Sequence, residues 1–159
     1  MTTNTTGGTP VVIHGVQGLL DRAGETLGVS DWVDVTQENI DTFARLSGDE
    51  QWIHVDPERA AAGPFGATVQ HGFLTLSLST GLLDQVFRVD DVSVVLNYGL
   101  NKVRFTAPLK VGSRTRMHVT LADVQPVAGG VTVVYHLVYE VADEPKPCCV
   151  ADLVFRYLS

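Results

Sequence analysis

The sequence predicts an α+β fold, with an antiparallel sheet curled around one central apolar helix. Three observations predict it. From residue 92 onward, "VSVVLNYGLNKVRF", "SRTRMHVTLADV", "GVTVVYHLVYEV" and "PCCVADLVFRYL" are rich in Val, Tyr, Phe and Thr, with stretches of alternation. The breaks "TAPLKVG", "QPVAGG" and "ADEPKP" are short and turn-like, which makes successive strands antiparallel neighbours. Ahead of them, "FLTLSLSTGLLDQVF" reads as a helix whose first turns are apolar on nearly every face, so other structure should surround it.

The earlier elements follow in order. "MTTNTTGGTP", residues 1–10, is polar and has neither the basic nor the apolar stretch of a signal peptide. It reads as a flexible leader, with residues 11–159 as one domain. Val16, Leu19, Leu20, Ala23 and Leu27 fall at helical spacing, which predicts a short helix over 16–27. "SDWVDV", residues 30–35, alternates as a strand. Thr36 caps the next helix, with Glu38 in its first turn and Ile40, Phe43 and Ala44 as its buried stripe. Ser47-Gly48 ends it. Asp56-Pro57 starts another: Asp caps, and Pro sits where its missing N–H costs nothing. Gly63-Pro64 breaks that helix after about one turn. A sheet wrapped on the later apolar helix would make a single hotdog, the helix being the sausage and the sheet the bun; a plain α+β sandwich fits the pattern nearly as well.

The bulk numbers exclude several classes. A chain of 159 residues with 45% hydrophobic and 18% charged residues is globular. Its formal charge is −7, and no basic run interleaves with aromatics, so nucleic acid is not an expected partner. No apolar run reaches the ~20 residues that span a bilayer, so no membrane is expected either. Cys148 and Cys149 are the only cysteines, and they are adjacent. That rules out a disulfide framework and zinc-site spacing, and fits a reducing, cytoplasmic compartment.

The chemistry gathers in "SGDEQWIHVDPERAAAGPFGATVQHG", residues 47–72. Asp49 and His54 stand between a helix end and a helix start, where a loop can bring both to one cavity. A carboxylate and an imidazole together can move protons. His71-Gly72 stands at the start of the apolar helix. The N–H groups of a first turn have no partner within the helix, and Gly lets a ligand approach the backbone. An oxygen gaining negative charge can be held there. Thr80 lies in the same helix as a candidate supporting hydroxyl, in competition with Thr75, Ser77 and Ser79. Asp49, His54, Asp56 and His71 are metal-ligand types without a ligand-spacing motif, so no metal is expected. His14, His118 and His136 have no supporting neighbours.

Together the pieces are specific. "FARLSGDEQWIHVDPERAAAGPFGATVQHGFLTLSLSTGLL", residues 43–83, resembles the signature of the MaoC-like, R-specific enoyl-CoA hydratases. Phe43, Ala44, Gly48, Asp49, His54, Asp56, Ala60, Phe65, Gly66, His71 and Gly72 all fall in place. "KVRFTAPLKVGS", residues 102–113, resembles a further strand of that family.

The resemblance implies a single hotdog that dimerises, two sheets joining edge to edge. It implies syn addition of water to a trans-2-enoyl-CoA, giving an (R)-3-hydroxyacyl-CoA, with no cofactor beyond the CoA of the substrate. Asp49 and His54 match the catalytic pair, in roles the residues do not assign. Gly72 matches the glycine whose N–H binds the thioester oxygen. Thr80, Gln51 and His71 fall in supporting places. Trp52, Phe65, Gly66, Lys102 and Arg104 are weaker candidates for substrate contact, the cations for CoA phosphates alongside Arg114 and Arg116. Gln51-Trp52 departs from the family's Asn-Pro, which bears on acyl specificity and rate more than on reaction type. Two rival readings remain: a hotdog acyl-CoA thioesterase, and a non-catalytic acyl-CoA-binding or accessory subunit.

Overall fold

The structure is a computed structural model and describes residues 8–159. The expected leader over residues 1–10 lies outside the described residues except for its last three. In chain order the elements are β1 (Val11–His14), α1 (Gly15–Asp21), β2 (Thr26–Val29), β3 (Val33–Asp34), α2 (Gln37–Ser47), α3 (Trp52–Val55), α4 (Pro57–Ala61), α5 (Gly72–Ser77), α6 (Ser79–Val86), β4 (Phe87–Asp90), β5 (Val94–Phe105), β6 (Arg114–Val127), β7 (Gly130–Val141) and β8 (Cys149–Leu158).

The four long strands are those the alternation predicts. They form an antiparallel sheet in the order β2-β6-β7-β8-β5, with β3 also on β6. Its inner face carries Met117, Val119 and Leu121 from β6, Tyr135, Leu137 and Tyr139 from β7, and Ala151, Leu153 and Phe155 from β8, all buried. These pack on Leu76, Leu82, Leu83 and Val86 of α5 and α6. Burial of each such side chain contributes about 1.5–3 kcal/mol. The architecture is the expected hotdog.

Several local features differ from expectation. The first helix stops at Asp21 rather than 27. Gly24 takes a φ of 89° and its N–H donates to Leu121 O at 2.6 Å, which turns the chain into β2 and leaves Leu27 as a core residue of a strand. The strand expected over 30–35 is reduced to β3, two residues long. A two-stranded parallel sheet, β1 with β4, was not foreseen. Its four-residue strands are too short for a period to show.

The short link between β5 and β6 predicts that they pair, and they do not. β5 pairs β8 instead and lies at the sheet edge. The link, residues 106–113, crosses beneath the start of α5 and bonds to the chain there. Gln70 N–H donates to Leu109 O at 2.7 Å, and Val111 N–H donates to Thr68 O at 2.9 Å. The apolar helix also differs from expectation, being enclosed on one side only. Thr75, Leu76, Ser79, Leu82, Leu83 and Val86 are buried, but Phe73 is 71% exposed and Thr80, Gly81 and Asp84 are exposed too.

Candidate active site

The site is built by the ends of short helices. Thr36 caps α2, its Oγ1 accepting from Asn39 N–H at 3.3 Å. Gly48 ends α2 with a φ of 76°, a left-handed conformation that suits glycine. Asp49 follows, exposed, its N–H donating to Ser47 Oγ. The single turn of α3 then carries His54 inward, to 7% exposure. Asp56 caps α4 by accepting from Arg59 N–H at 3.0 Å, with Pro57 at the first position. The caps read from the sequence therefore fix the positions of both members of the pair.

His54 is held at several points. Its Nδ1 lies 2.6 Å from Val69 O. A carbonyl only accepts, so Nδ1 carries the proton and Nε2 keeps its lone pair. Burial pushes the His54 pKa below its ordinary 6.5; the Val69 bond opposes this, the neighbouring His71 adds to it, and the Asp49 charge opposes it. The net shift is downward, which favours the neutral ring. Gln37 locks the backbone behind it. Gln37 Nε2 donates to His54 O at 2.8 Å, while Gln37 Oε1 accepts from Thr68 Oγ1 at 2.6 Å. One side chain thus ties α2 to α3 and to the segment before α5.

His71 joins the pair. Its ring stacks on His54, centroids 3.7 Å apart and planes 22° apart. His71 Nε2 donates to Asp49 O at 2.9 Å, which leaves a buried Nδ1 without a partner among the described residues. The donor atoms of Asp49, His54 and His71 all lie within 4.8 Å of one another. By distance they could surround an ion. Two ring planes so nearly parallel, however, meet far beyond the ~2 Å at which imidazole nitrogen holds zinc in its own plane. The cluster is better arranged for proton transfer than for a metal.

Gly72 begins α5 beside this cluster. A Cβ there would lie 2.6 Å from the Phe105 ring, so only glycine fits unless that ring swings out. Gly72 and Phe105 line a cavity of about 330 Å³, together with Ile53, Phe65, Gln70 and Leu109 among others. Ile53 adjoins His54 in sequence, and Val69, which bonds His54, lines the cavity as well. The cavity is a mostly apolar pocket that adjoins His54 through Ile53 and Val69, while Asp49 and His54 are not among its lining residues.

The remaining predicted residues divide. Phe65 lines the cavity, and Gly66 supplies an exposed turn beside it with a φ of 72°. Gln51 is exposed and contributes its carbonyl, which accepts from His54 N–H at 2.9 Å. Trp52 packs on the outer side of the loop, under the Arg59 guanidinium at 4.5 Å and against Gly63, and is not among the cavity-lining residues. Lys102 and Arg104 pair in register with Asp152 and Val150, on the sheet face turned away from the helix. Strand partners share a face, so neither cation reaches the cavity. Arg114 and Arg116 instead stack on Trp32. Thr80 is exposed and lines a different cavity, with Asp84, Val95 and Asn97. Thr75 and Ser79, four apart, occupy the buried face, and one further residue rotates Thr80 about 100° away from it. Nothing in the sequence marked Gln37, and Val69, Gln70 and Phe105 lay within the family-like stretches without a part of their own, because their parts depend on contacts across the fold.

Residues 19–142 match the MaoC like domain family, which is most of the chain. The chain belongs to that family. MaoC-like relatives include the 3-hydroxyacyl-thioester dehydratase Z of Mycobacterium tuberculosis, 50% identical over 145 residues, covering 91% of this chain and 96% of that one. Among solved structures, a monoamine oxidase regulatory protein from Archaeoglobus fulgidus superposes with a TM-score of 0.78 at 23% identity, covering 96% of this chain and 99% of that one. The (R)-hydratase from A. caviae involved in PHA biosynthesis superposes at 0.70 with 21% identity, covering 84% of this chain and 94% of that one. At those identities the two structures speak for the MaoC-like hotdog fold alone.

Proposed function

We propose that this protein is an (R)-specific enoyl-CoA hydratase, a hydro-lyase that reversibly adds water to trans-2-enoyl-CoA to give (R)-3-hydroxyacyl-CoA. The observation that carries the reading is His54, buried, neutral and bonded through Nδ1 to Val69 O, with Nε2 open beside Asp49 at the start of α5. The half-identical relative's name, a 3-hydroxyacyl-thioester dehydratase, supports the same chemistry.

The thioester carbonyl accepts the Gly72 N–H, which is not used within α5 and stabilises the enolate-like charge. Asp49 and His54 hold one water over the double bond. Oxygen bonds to C3, its proton passes to the pair, and the pair returns a proton to C2. Dehydration runs the same steps backwards. Only the elements of water are exchanged and no electrons leave the substrate, so the reaction calls for no redox cofactor, and CoA serves as the carrier. Residues 11–159 act as one hotdog domain. We place it in the cytoplasm, on the free thiols of Cys148 and Cys149. It works as a homodimer joined through β5, whose Val94, Val95, Leu96, Tyr98 and Leu100 are exposed at the sheet edge.

The test follows enoyl-thioester absorbance with crotonyl-CoA and longer trans-2-enoyl-CoAs, beside a free-thiol assay, on wild type, Asp49→Asn and His54→Gln. Absorbance should fall without thiol release, and both variants should lose about 100-fold or more. Thiol release would make the protein a thioesterase. Silence in both assays with folded protein would make it a binding or accessory subunit.

A further inference from the structure

We propose that Gln70 forms a hydrogen-bond-accepting subsite in the wall of the cavity beside Gly72. It reads a donor carried by the thioester substrate, either a hydroxyl on the acyl chain or the first amide N–H of the thiol carrier. This rests on the hydratase reading and deepens it.

Gln70 is 7% exposed and lines a cavity whose other walls include Ile53, Phe65, Phe105 and Leu109. Its backbone is fixed by the bond to Leu109 O. Its Nε2 donates to Thr75 Oγ1 at 2.9 Å, and Thr75 Oγ1 lies 3.3 Å from His71 O. The His71 carbonyl only accepts, so the Thr75 hydroxyl donates to it and takes its own hydrogen bond from the Gln70 amide. That chain fixes which way the amide faces. Gln70 Oε1 is left over, and no protein donor reaches it among the described residues.

A wall that only held a hydrocarbon chain would be more stable with Leu at this position, because an amide oxygen facing a mostly apolar cavity needs a donor. In the empty cavity water can supply one. A substrate that displaces the water must replace its bond or bind less well. Sparse polar groups in apolar pockets set orientation and specificity in this way. Gln70 is therefore a specificity-determining residue, set beside the place where the thioester carbonyl sits.

The test compares kcat/KM for wild type, Gln70→Leu and Thr75→Val on crotonyl esters of ethanethiol, which has no amide, and of N-acetylcysteamine, which has one. It adds hexenoyl and 6-hydroxyhexenoyl esters of N-acetylcysteamine. Thr75→Val releases the amide from its anchor and serves as the second variant should Gln70→Leu fold poorly. A loss of about tenfold on the N-acetylcysteamine ester, absent on the ethanethiol ester, identifies the carrier amide as the donor. The same loss on the hydroxyhexenoyl ester, absent on the hexenoyl ester, identifies the acyl hydroxyl. Equal changes on all four esters, or none, overturn the subsite. If wild type turns over no ester, the hydratase reading fails separately, and calorimetric binding of butanoyl-CoA and 4-hydroxybutanoyl-CoA decides the subsite. Weaker binding of either by Gln70→Leu supports it, and unchanged binding of both overturns it.

Discussion

β7 and β5 are both twelve-residue strands of one sheet, yet their burial differs throughout. In β7 every second residue from Val131 to Val141 is buried, and both edges of the strand are paired. In β5 no residue is buried, one edge pairs β8, and the other pairs nothing among the described residues. Both are apolar by sequence. The difference teaches that composition sets how much a strand has to bury, while its place in the sheet sets whether one chain can bury it. β7 is completed within the chain. A long, apolar, open edge such as β5 needs a cover.

The largest expected effect is on the closed side of this comparison. Leu137→Ala on β7 removes a side chain with 0% exposure. It should cost about 2–5 kcal/mol, read as a lower urea midpoint. An equal loss from Leu96→Ala on β5, with the protein held monomeric, would erase the contrast. Next comes the open side. If the proposed dimer joins through β5, Leu96→Asp with Leu100→Asp should halve the mass in sedimentation while the far-UV circular dichroism keeps its shape. A variant that stays dimeric would show that another surface joins the copies.

The same division runs through the dyad, where His54 is buried and Asp49 exposed. Because burial lowers the His54 pKa, the acid limb of kcat/KM should lie below pH 6.5 and fall about tenfold per unit there. The unfolded chain, with its ordinary imidazole, binds the proton first. His54 therefore favours folding above pH 6.5, and this advantage is lost as pH falls through 6.5 toward the lower folded value. An acid limb above 6.5 would mean that the folded ring is charged more easily than a free one.

The smallest effect concerns the outer face of β7. There Glu140 accepts from Arg116 at 2.7 and 3.1 Å and also meets His118. The Arg116 bond, with His118 adding to it, holds the Glu140 carboxyl below its ordinary 4.5. Its contribution is present above pH 4.5 and is lost as pH falls through the lower folded value. The group is about one-third exposed, so solvent weakens it, and Glu140→Gln should cost no more than about 1 kcal/mol at neutral pH.

What the sequence disclosed follows from range. Thr36, Gly48, Asp56 and Pro57 act within one turn, and each stands where a cap was expected, which is why the Asp49–His54 spacing was readable. Gly72 as the first residue of a helix is equally local. The pairing of β5 with β8 was not readable, because no local pattern chooses a partner some fifty residues away. The side on which Lys102 and Arg104 fall was hidden for a related reason. Register irregularities between Asn97 and Gly99, and between Leu100 and Lys102, shift the alternation on which any reading of faces depends. Gln37 was hidden because a helix-start glutamine says nothing of the His54 carbonyl it will meet.

Phe105 is the last residue of the open strand, and its ring rests on Gly72. The residues that follow it are tied by backbone bonds to the segment carrying His71. In the proposed dimer, the copy that covers β5 would thus also brace the cavity wall beside Gly72. Specific activity should then depend on how concentrated the enzyme is. A dilute sample would lose turnover per molecule before it lost its fold, and restoring the concentration would return it.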